Sequence, residues 1–361
     1  MNQLKKLYKY RPLSEFLFKE LYYQELYFAS YNELNDPLDL SARIEFSTDD
    51  KKAIGYLLWF VFKTQIDFDA TGKSKENNVK LLKFNKDKKA HDLLSNEIYN
   101  SVKTILKNKA KIWTTDIVEI ITQSIINANI DIVFDSDKFK AELERLTNKF
   151  LKNSYVTCLS ETNNNFLMWS HYASKHSGIC LEFTLENGES FPYEMKQSRK
   201  QDNEKYKERM SEWDTKSFVY WDRLRRVEYQ DEQPYINFYQ FGAVFENEHD
   251  CDLIGLSKSW THQYAYELER LFSCKTNGWG YENEWRAIDI NFDSPKEPEE
   301  RIRHYPIECL SSVYFGVNTP ENIRNRIYKI LNKKNPDIDF FESSLNGTDS
   351  IEFSDWEYYE E

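Results

Sequence analysis

Apolar residues recur at the spacing of a helix through one long stretch near the middle of the chain. Residues three and four positions apart lie on one face of a helix, so this pattern predicts helices with one buried side. We therefore predict that residues 49–153 form a mostly helical insertion. Three runs show the pattern: Ile54, Leu57, Leu58 and Val61; Ile117, Ile120, Ile121, Ile125 and Ile126; and Phe139, Leu143, Leu146 and Phe150, with Ser136 as the expected N-cap of the last run.

The remainder of the chain alternates short strand-like runs with turn and helix signals. β-Branched and aromatic residues dominate these runs and turn residues bound them, as expected for strands. A helix is predicted from Thr319 and Pro320 to about Leu331, because proline is favoured at the first helical position. The predicted strands are residues 25–30, 155–160, 178–183, 285–290, 312–316 and 338–341.

Short strands separated by helices are typical of the α+β class. We therefore predict an α+β fold with a mixed-sheet core that the helical insertion splits in sequence. Residues 1–48 form the first part of this core, and residues 154–345 form the remainder. Residues 346–361 follow as an acidic, aromatic tail, which we expect to be frayed and solvated rather than docked on a basic surface.

The composition restricts the class of protein without changing this fold. Aromatic residues make up 16% of the 361 residues, more than a disordered chain carries, so most of the chain is expected to fold. Only 10 glycines and 9 prolines exclude fibrous and low-complexity classes. A net charge of −12 excludes a uniformly basic coat for nucleic acid.

Charge is distributed unevenly along the chain. Residues 51–110 hold 13 lysines and 6 acidic residues, a net charge of +7. Because the total charge is −12, the rest of the chain carries −19. Such a segment can pack against the acidic body of the protein, contact a polyanion or a protein partner, or only keep a helix face solvated. These alternatives stay open, and we call residues 51–110 the basic insertion.

The cysteine and histidine positions argue against disulfides and metal sites. The five cysteines, at positions 158, 180, 251, 274 and 309, show no CxxC spacing, so reduced thiols and a cytoplasmic location are expected. His171 and His176 miss the i, i+4 spacing of a helical metal pair, and no metal is predicted. No apolar run is long enough to cross a bilayer and the N-terminal residues lack a secretory signal, so no membrane partner is expected.

Four blocks, in a fixed order along the chain, resemble a known family. The blocks are LYKYR at 7–11; LYFAS at 26–30 with NDP at 35–37; CLS at 158–160 with MWSHYA at 168–173 and CLEF at 180–183; and Lys275 with Trp279, YE at 281–282 and EWR at 284–286. The set resembles a bacterial family catalogued as domain of unknown function 2971. The family name implies no activity, but its members resemble accessory genes of phage-defence and toxin systems.

The same layout resembles a remote ADP-ribosyltransferase plan. That plan has a basic residue on an early strand, a Ser/Tyr motif in the middle of the chain and a glutamate that opens a late strand. The resemblance implies NAD as a substrate and a protein or a nucleic acid as the acceptor. Cleavage of the nicotinamide–ribose bond places positive charge on the ribose. A fixed carboxylate stabilises that charge, a cation neutralises the pyrophosphate, and an aromatic ring stacks on the nicotinamide.

The resemblance assigns roles to two sets of residues. Glu284 is the implied catalytic carboxylate. On a strand, Glu282 would share its face, so the two carboxylates would split their pKa values. The implied catalytic residues are Glu284, Glu282, Tyr172 and His171, and the implied NAD-binding residues are Arg11, Tyr8, Ser170, Trp169 and Arg286.

Other roles compete with these assignments. Glu284 and Arg286 equally suit an ion pair on a solvated face, and tryptophans are more often core residues than stacking platforms. A metal-dependent nuclease of a defence system would instead use Asp36, Glu182, Glu284 and Lys275 around Mg²⁺. A non-catalytic binding module, antitoxin-like or regulatory, would present the basic insertion to its partner.

Overall fold

The computed structural model describes residues 5–65, 76–185, 190–194, 219–239, 270–289, 295–347 and 350–359. The strands in these ranges are, in chain order, β1 (Lys5–Arg11), β2 (Glu25–Tyr27), β3 (Arg43–Glu45), β4 (Tyr155–Ser160), β5 (Ile179–Leu185), β6 (Ser190–Glu194), β7 (Val219–Arg226), β8 (Glu228–Gln230), β9 (Tyr235–Asn237), β10 (Cys274–Thr276), β11 (Glu284–Asp289), β12 (Ile302–His304), β13 (Leu310–Phe315), β14 (Asp339–Leu345) and β15 (Ile351–Asp355). The α-helices are α1 (Glu15–Tyr23), α2 (Lys51–Gln65), α3 (Glu76–Lys86), α4 (Lys88–Leu106), α5 (Thr114–Asn127), α6 (Ser136–Leu151), α7 (Phe166–Tyr172) and α8 (Glu321–Asn332).

The chain divides into two compact units. We call Met1–Asp39, Asn153–Asp231 and Phe272–Glu361 the sheet unit, and Leu40–Lys152 with Glu232–Leu271 the helical unit. Each unit has its own hydrophobic core. The predicted α+β class with a mixed sheet is confirmed.

The sheet unit is built on one sheet with eleven strands among the described residues, in the order β15-β14-β13-β5-β1-β4-β11-β7-β6-β12-β2. The pairing is antiparallel except between β13 and β14, which are parallel. Helices α1 and α8 bury Leu17, Leu21, Ile327 and Leu331 in the core of this unit. Their apolar residues recur every three or four positions, which gives each helix one buried face.

Strand β1 is central to the sheet but pairs unequally with its two neighbours. It pairs with β5 along its whole length, from Lys5 opposite Leu185 to Arg11 opposite Ile179. With β4 it shares only one pair, Tyr8 opposite Ser160. Backbone groups of β1 beyond Tyr8 therefore have no ladder partner in β4, and a space opens between the two strands.

The helical unit contains the helices that the apolar spacing predicts. The side chains that set this spacing in α2 and α5 are buried in one core, except Ile126, which is 63% exposed. The unit is wider in sequence than residues 49–153, because β3 and β9 form a parallel pair and Phe46 stacks on Phe238 with ring centroids 4.8 Å apart. Asp135, rather than Ser136, caps α6, since its Oδ1 accepts the backbone N–H groups of Asp137 and Lys138.

The C-terminal segment is not the frayed tail that its charge suggests. Strand β15 pairs with β14 from Phe341 opposite Asp355 to Leu345 opposite Ile351. The ring of Phe353 lies 4.7 Å from that of Tyr314, centroid to centroid. The aromatic residues therefore hold the segment on the sheet, while its described acidic residues, Glu352, Asp355 and Glu357, are exposed. In the described part of the chain, no helix is long and apolar enough to cross a membrane.

Candidate active site

A cavity of about 410 Å³ lies in the sheet unit where β1 and β4 share their single pair. Its walls come from β1, from residues 27–35, from β4 and from α7, and its acidic residues are Glu33, Glu282 and Glu284. A volume of this size is within the range of small-molecule sites. Among the implied site residues, the structure brings six into this one lining: Tyr8, Arg11, His171, Tyr172, Glu282 and Glu284.

Three implied NAD-binding residues do not line the cavity. Trp169 is completely buried in a core cluster, where its Nε1 donates to the carbonyl of Asn163 (2.6 Å). Arg286 is completely buried among charged partners. Ser170 is in the same turn of α7 as His171 but lies outside the lining. The packing of helix α7 on the sheet explains this, because successive residues of a helix point in different directions.

A cluster of five buried, charged side chains lies beside the cavity. We call Asp39, Lys275, Glu282, Glu284 and Arg286 the buried charge cluster. Arg286 makes two-point contacts with both Asp39 (2.7 and 2.6 Å) and Glu284 (2.7 and 3.1 Å). The Nζ of Lys275 lies 2.7 Å from Glu282 and 3.0 Å from Glu284. The predicted ion pair of Glu284 and Arg286 thus exists, but it is buried rather than on a solvated face.

The two glutamates reach this cluster from different elements. Glu284 begins β11, whereas Glu282 ends a 3₁₀ helix over Asn277–Glu282. Asn283 between them has a left-handed backbone with φ 44°, a conformation that asparagine tolerates better than most residues. The prediction that both lie on one strand face is therefore wrong. Their carboxylates still converge, because both contact Lys275 on the short strand β10.

Burial and charge push the pKa values of the two glutamates in opposite directions. Burial alone would raise the pKa of Glu284, but the charges of Arg286 and Lys275 outweigh it and hold that pKa well below its ordinary value. Burial raises the pKa of Glu282 and Lys275 lowers it. The charge of Glu284 raises it again, and the net direction is upward. Three carboxylates share two cations in this cluster, and of the two glutamates Glu282 takes up a proton more easily.

Tyr172 joins Glu282 to the cavity. Its hydroxyl donates to Glu282 Oε1 and accepts a hydrogen bond from Asn35 Nδ2 (2.7 Å). Burial and the neighbouring Glu282 raise the pKa of Tyr172, so its hydroxyl keeps its proton and remains a donor. The neighbouring His171 lies with Nδ1 3.0 Å from the hydroxyl of Tyr281. Helix α7 is fixed at its start by Asn165, whose side chain accepts the backbone N–H groups of the first turn.

In the structure, Lys9 rather than the implied Arg11 is the cation of the β1 wall that is available to a ligand. Arg11 lines the cavity but forms an ion pair with Glu20. Lys9, also in the lining, donates to Thr157 Oγ1 (2.8 Å) and to the carbonyl of Cys158 (3.0 Å), and it makes no ion pair with a described carboxylate. Burial, and next the charge of Arg11, lower the pKa of Lys9 to about 8. Sequence reasoning missed Lys9, although strand alternation places residues 9 and 11 on one face.

The three carboxylates of the metal-dependent alternative are not brought together, although Glu284 and Lys275 are in contact. Glu182 lies outside the cavity lining, where it pairs with Lys6 (2.9 Å) and accepts from Tyr314 (2.8 Å). Asp36 also lies outside the lining and accepts the backbone N–H of Leu38 in a turn. Within the described ranges, no group of three or more histidines, cysteines or acids is arranged to hold a metal ion.

Comparison with known proteins gives one match. The sequence profile of a family described as "Protein of unknown function (DUF2971)" matches residues 168–287. This stretch includes most of α7, the whole of β5 and the segment from Lys275 to Arg286, so the chain is similar to that family where most of the charged site residues lie. No curated protein and no solved structure matches the chain.

Proposed function

We propose that the sheet unit is an ADP-ribosyltransferase-like enzyme that uses NAD as a substrate, works in the bacterial cytoplasm and belongs to a phage-defence or toxin system. One observation carries this proposal. A tyrosine and a glutamate of raised pKa, Tyr172 and Glu282, form a hydrogen-bonded pair on the wall of a cavity that also contains the cation Lys9.

The cavity offers the groups that binding of a dinucleotide requires. Lys9 places positive charge on the β1 wall, which suits a pyrophosphate. The rings of Tyr8, Tyr10 and Tyr172 in the lining suit stacking on a base or on nicotinamide. The acidic wall, with Glu282 and Glu284, suits the ribose, whose hydroxyl groups donate to carboxylates.

The proposed reaction breaks the bond between nicotinamide N1 and ribose C1′. Nicotinamide leaves with the electron pair of that bond, and positive charge develops on the ribose. The carboxylate of Glu282, held by Tyr172, stabilises this charge. A nucleophilic group of the acceptor then bonds to C1′, and its proton passes to Glu282, whose raised pKa suits it as the base.

Glu284 takes a different role from the one that the resemblance implies. Cations occupy both oxygens of its carboxylate, since Oε1 accepts from Arg286 Nε (2.7 Å) and Oε2 pairs with Lys275 Nζ (3.0 Å). It is therefore a positioning residue. It keeps Lys275 in place against Glu282 and, as a nearby negative charge, keeps the pKa of Glu282 high.

Release of nicotinamide from NAD tests the proposal. Purified protein is incubated with NAD and with a cell extract as the source of acceptors, and nicotinamide is measured by chromatography. We expect release by the wild type and a loss on the order of 10²–10³-fold in Glu282→Gln, as for removal of one electrostatic stabiliser. Glu161→Gln is the matched control, because Glu161 lies outside the cavity lining and contacts Trp285 and Arg226.

Two outcomes would overturn the proposal. One is the absence of nicotinamide release and of ADP-ribosylated product from the wild type with every acceptor pool tried. The other is equal release by the wild type and by Glu282→Gln. Full activity of Glu282→Gln in cells would then favour the non-catalytic binding module.

A further inference from the structure

A second concave surface of the sheet unit lies on helix α8, with Tyr22 of α1 in its lining. This groove has a volume of about 590 Å³. It shares no lining residue with the cavity described above. We call it the α8 groove, and its charged residues are Arg326, Lys329, Lys333 and Lys334.

The basic residues of the α8 groove follow the period of the helix. Asn322, Arg326, Lys329 and Lys333 are separated by four, three and four positions, so they form one continuous stripe. The opposite face of α8 buries Ile327 and Leu331. The helix therefore presents an apolar side to the core and a basic side to the groove.

Three cations of the groove pair with no carboxylate in the described residues, and two of them lie against aromatic rings. The guanidinium of Arg326 lies 3.8 Å from the ring centroid of Phe18, and the Nζ of Lys334 lies 4.7 Å from that of Tyr22. Arg326, Lys333 and Lys334 form no ion pair with any described carboxylate. In a chain of net charge −12, acidic partners are plentiful, so a groove that keeps these cations away from them is available to an external anion.

Stabilisation of the helix end explains only part of this arrangement. Cations at the C-terminal end of a helix interact favourably with its dipole, and Lys329 in the last turn of α8 and Lys333 at its C-cap satisfy that rule. Arg326 lies in the middle of α8, where the dipole gives it nothing. Asn325 also lines the groove, although its Oδ1 is buried and therefore out of reach of a ligand.

We propose that the α8 groove binds single-stranded nucleic acid. Phosphates contact the stripe from Arg326 to Lys334, and a base stacks on Tyr22, whose side chain is 53% exposed beside the cations. A positively charged groove with an exposed aromatic ring is the usual composition of such sites. A single strand fits better than a duplex, because only unpaired bases present a face to Tyr22.

Binding is measured by fluorescence anisotropy on the full chain, with a labelled single-stranded oligonucleotide of about 12 nucleotides over a series of salt concentrations. In the groove variant, Arg326, Lys329, Lys333 and Lys334 are all changed to Gln. In the matched control, Lys83, Lys86, Lys88 and Lys89 of the basic insertion, all exposed, are changed to Gln. Both variants remove four positive charges, so a difference in affinity between them depends on where the charges lie and not on how many were removed.

We expect the groove variant to bind about 100-fold more weakly than the wild type. The slope of log affinity against log salt concentration should become less negative by about 3, because each phosphate that the protein no longer neutralises contributes ~0.7 to that slope. The control should stay within about twofold of the wild type. An absence of wild-type binding, or an equal or greater loss in the control, would overturn the proposal. The second result would assign the nucleic-acid surface to the basic insertion.

A substitution of Tyr22 separates nucleic acid from other polyanions. We expect Tyr22→Ala to weaken oligonucleotide binding by about tenfold, Tyr22→Phe to keep it, and both to leave binding of inorganic polyphosphate unchanged. Equal losses for polyphosphate and oligonucleotide would show a general anion site and contradict the proposal. Nicotinamide release from NAD should be unchanged in all of these variants, so failure here is distinguishable from failure of the proposed enzyme activity.

Discussion

The hydroxyl of Tyr172 donates a hydrogen bond to the carboxylate of Glu282, although 110 residues separate the two in the chain. The pair connects the buried charge cluster to the cavity. Its environment makes Glu282 more easily protonated than Glu284, because burial raises its pKa and the charge of Glu284 adds to that effect. If ionised Glu282 is the active form, activity falls as the pH falls through this raised pKa, which gives the pH–rate profile an acidic limb. Two substitutions should move this acidic limb in opposite directions.

The first substitution is Tyr172→Phe. The hydrogen bond from Tyr172 lowers the pKa of Glu282, so its removal should raise that pKa further. We expect the acidic limb of the pH–rate profile for nicotinamide release to move to higher pH. The maximal rate should fall by about tenfold or more, since the hydroxyl no longer positions the carboxylate. Tyr281→Phe removes only the hydrogen bond with His171 and should leave the limb in place.

The second substitution is Glu284→Gln. It removes a negative charge that raises the pKa of Glu282, so this pKa should fall and the acidic limb should move to lower pH. The same pH–rate measurement applies. A limb that moves in the same direction in Tyr172→Phe and Glu284→Gln would show that Glu282 is not the titrating group.

Arg286→Met should destabilise the fold, because it leaves Asp39 and Glu284 buried without their main cation. We expect a loss of about 3–5 kcal/mol in the free energy of unfolding by urea. The pKa of Glu284 is lower in the folded protein than its ordinary value of about 4.5, so its stabilising effect is present above that pH and is lost on acidification.

The loss caused by Arg286→Met should therefore be larger at about pH 7 than at about pH 3. Arg226→Met is the control, because Arg226 is 61% exposed and its pair with Glu161 contributes at most about 1 kcal/mol. Equal losses in the two variants would contradict the buried role of Arg286.

Gly178→Ala should destabilise the sheet unit at the end of β1. A Cβ at this position would lie 2.3 Å from the carbonyl oxygen of Arg11, and neither backbone can yield easily. We expect a loss of about 1–3 kcal/mol by urea unfolding. Gly278→Ala is the matched control, since its Cβ would meet nothing within 4 Å, and its stability should change little.

Trp356→Ala should show that the acidic C-terminal segment is a structural part of the sheet unit. The ring of Trp356 lies 5.1 Å from that of Phe315, centroid to centroid, and its backbone N–H donates to the carbonyl of Phe340 (2.9 Å). Because this ring is half-buried, we expect Trp356→Ala to lower the free energy of unfolding by urea by about 2 kcal/mol, which is less than for a fully buried tryptophan. Tyr359→Ala, at a side chain that is 75% exposed, should change stability by less than about 0.5 kcal/mol.

The local elements of secondary structure could be predicted from the amino-acid sequence alone. Helical spacing of apolar residues predicted α2, α5 and α6, and the run at 155–160 predicted β4 with the bounds that the structure gives. These elements depend on periodic burial, which is written into neighbouring residues. The resemblance to an ADP-ribosyltransferase plan also named Tyr172, Glu282 and Glu284 as candidates, because the types and order of residues in a motif can be recognised without any fold.

The contacts between these residues could not be predicted without the folded structure. The left-handed conformation of Asn283 separates Glu282 from the strand face of Glu284, and Lys275 joins the two carboxylates again. The single pair between β1 and β4 opens the cavity and makes Lys9 its available cation. The pairing of β15 holds a segment that its charge alone predicts to be frayed. Each of these depends on contacts between distant parts of the chain, whose energies no local pattern of residues records.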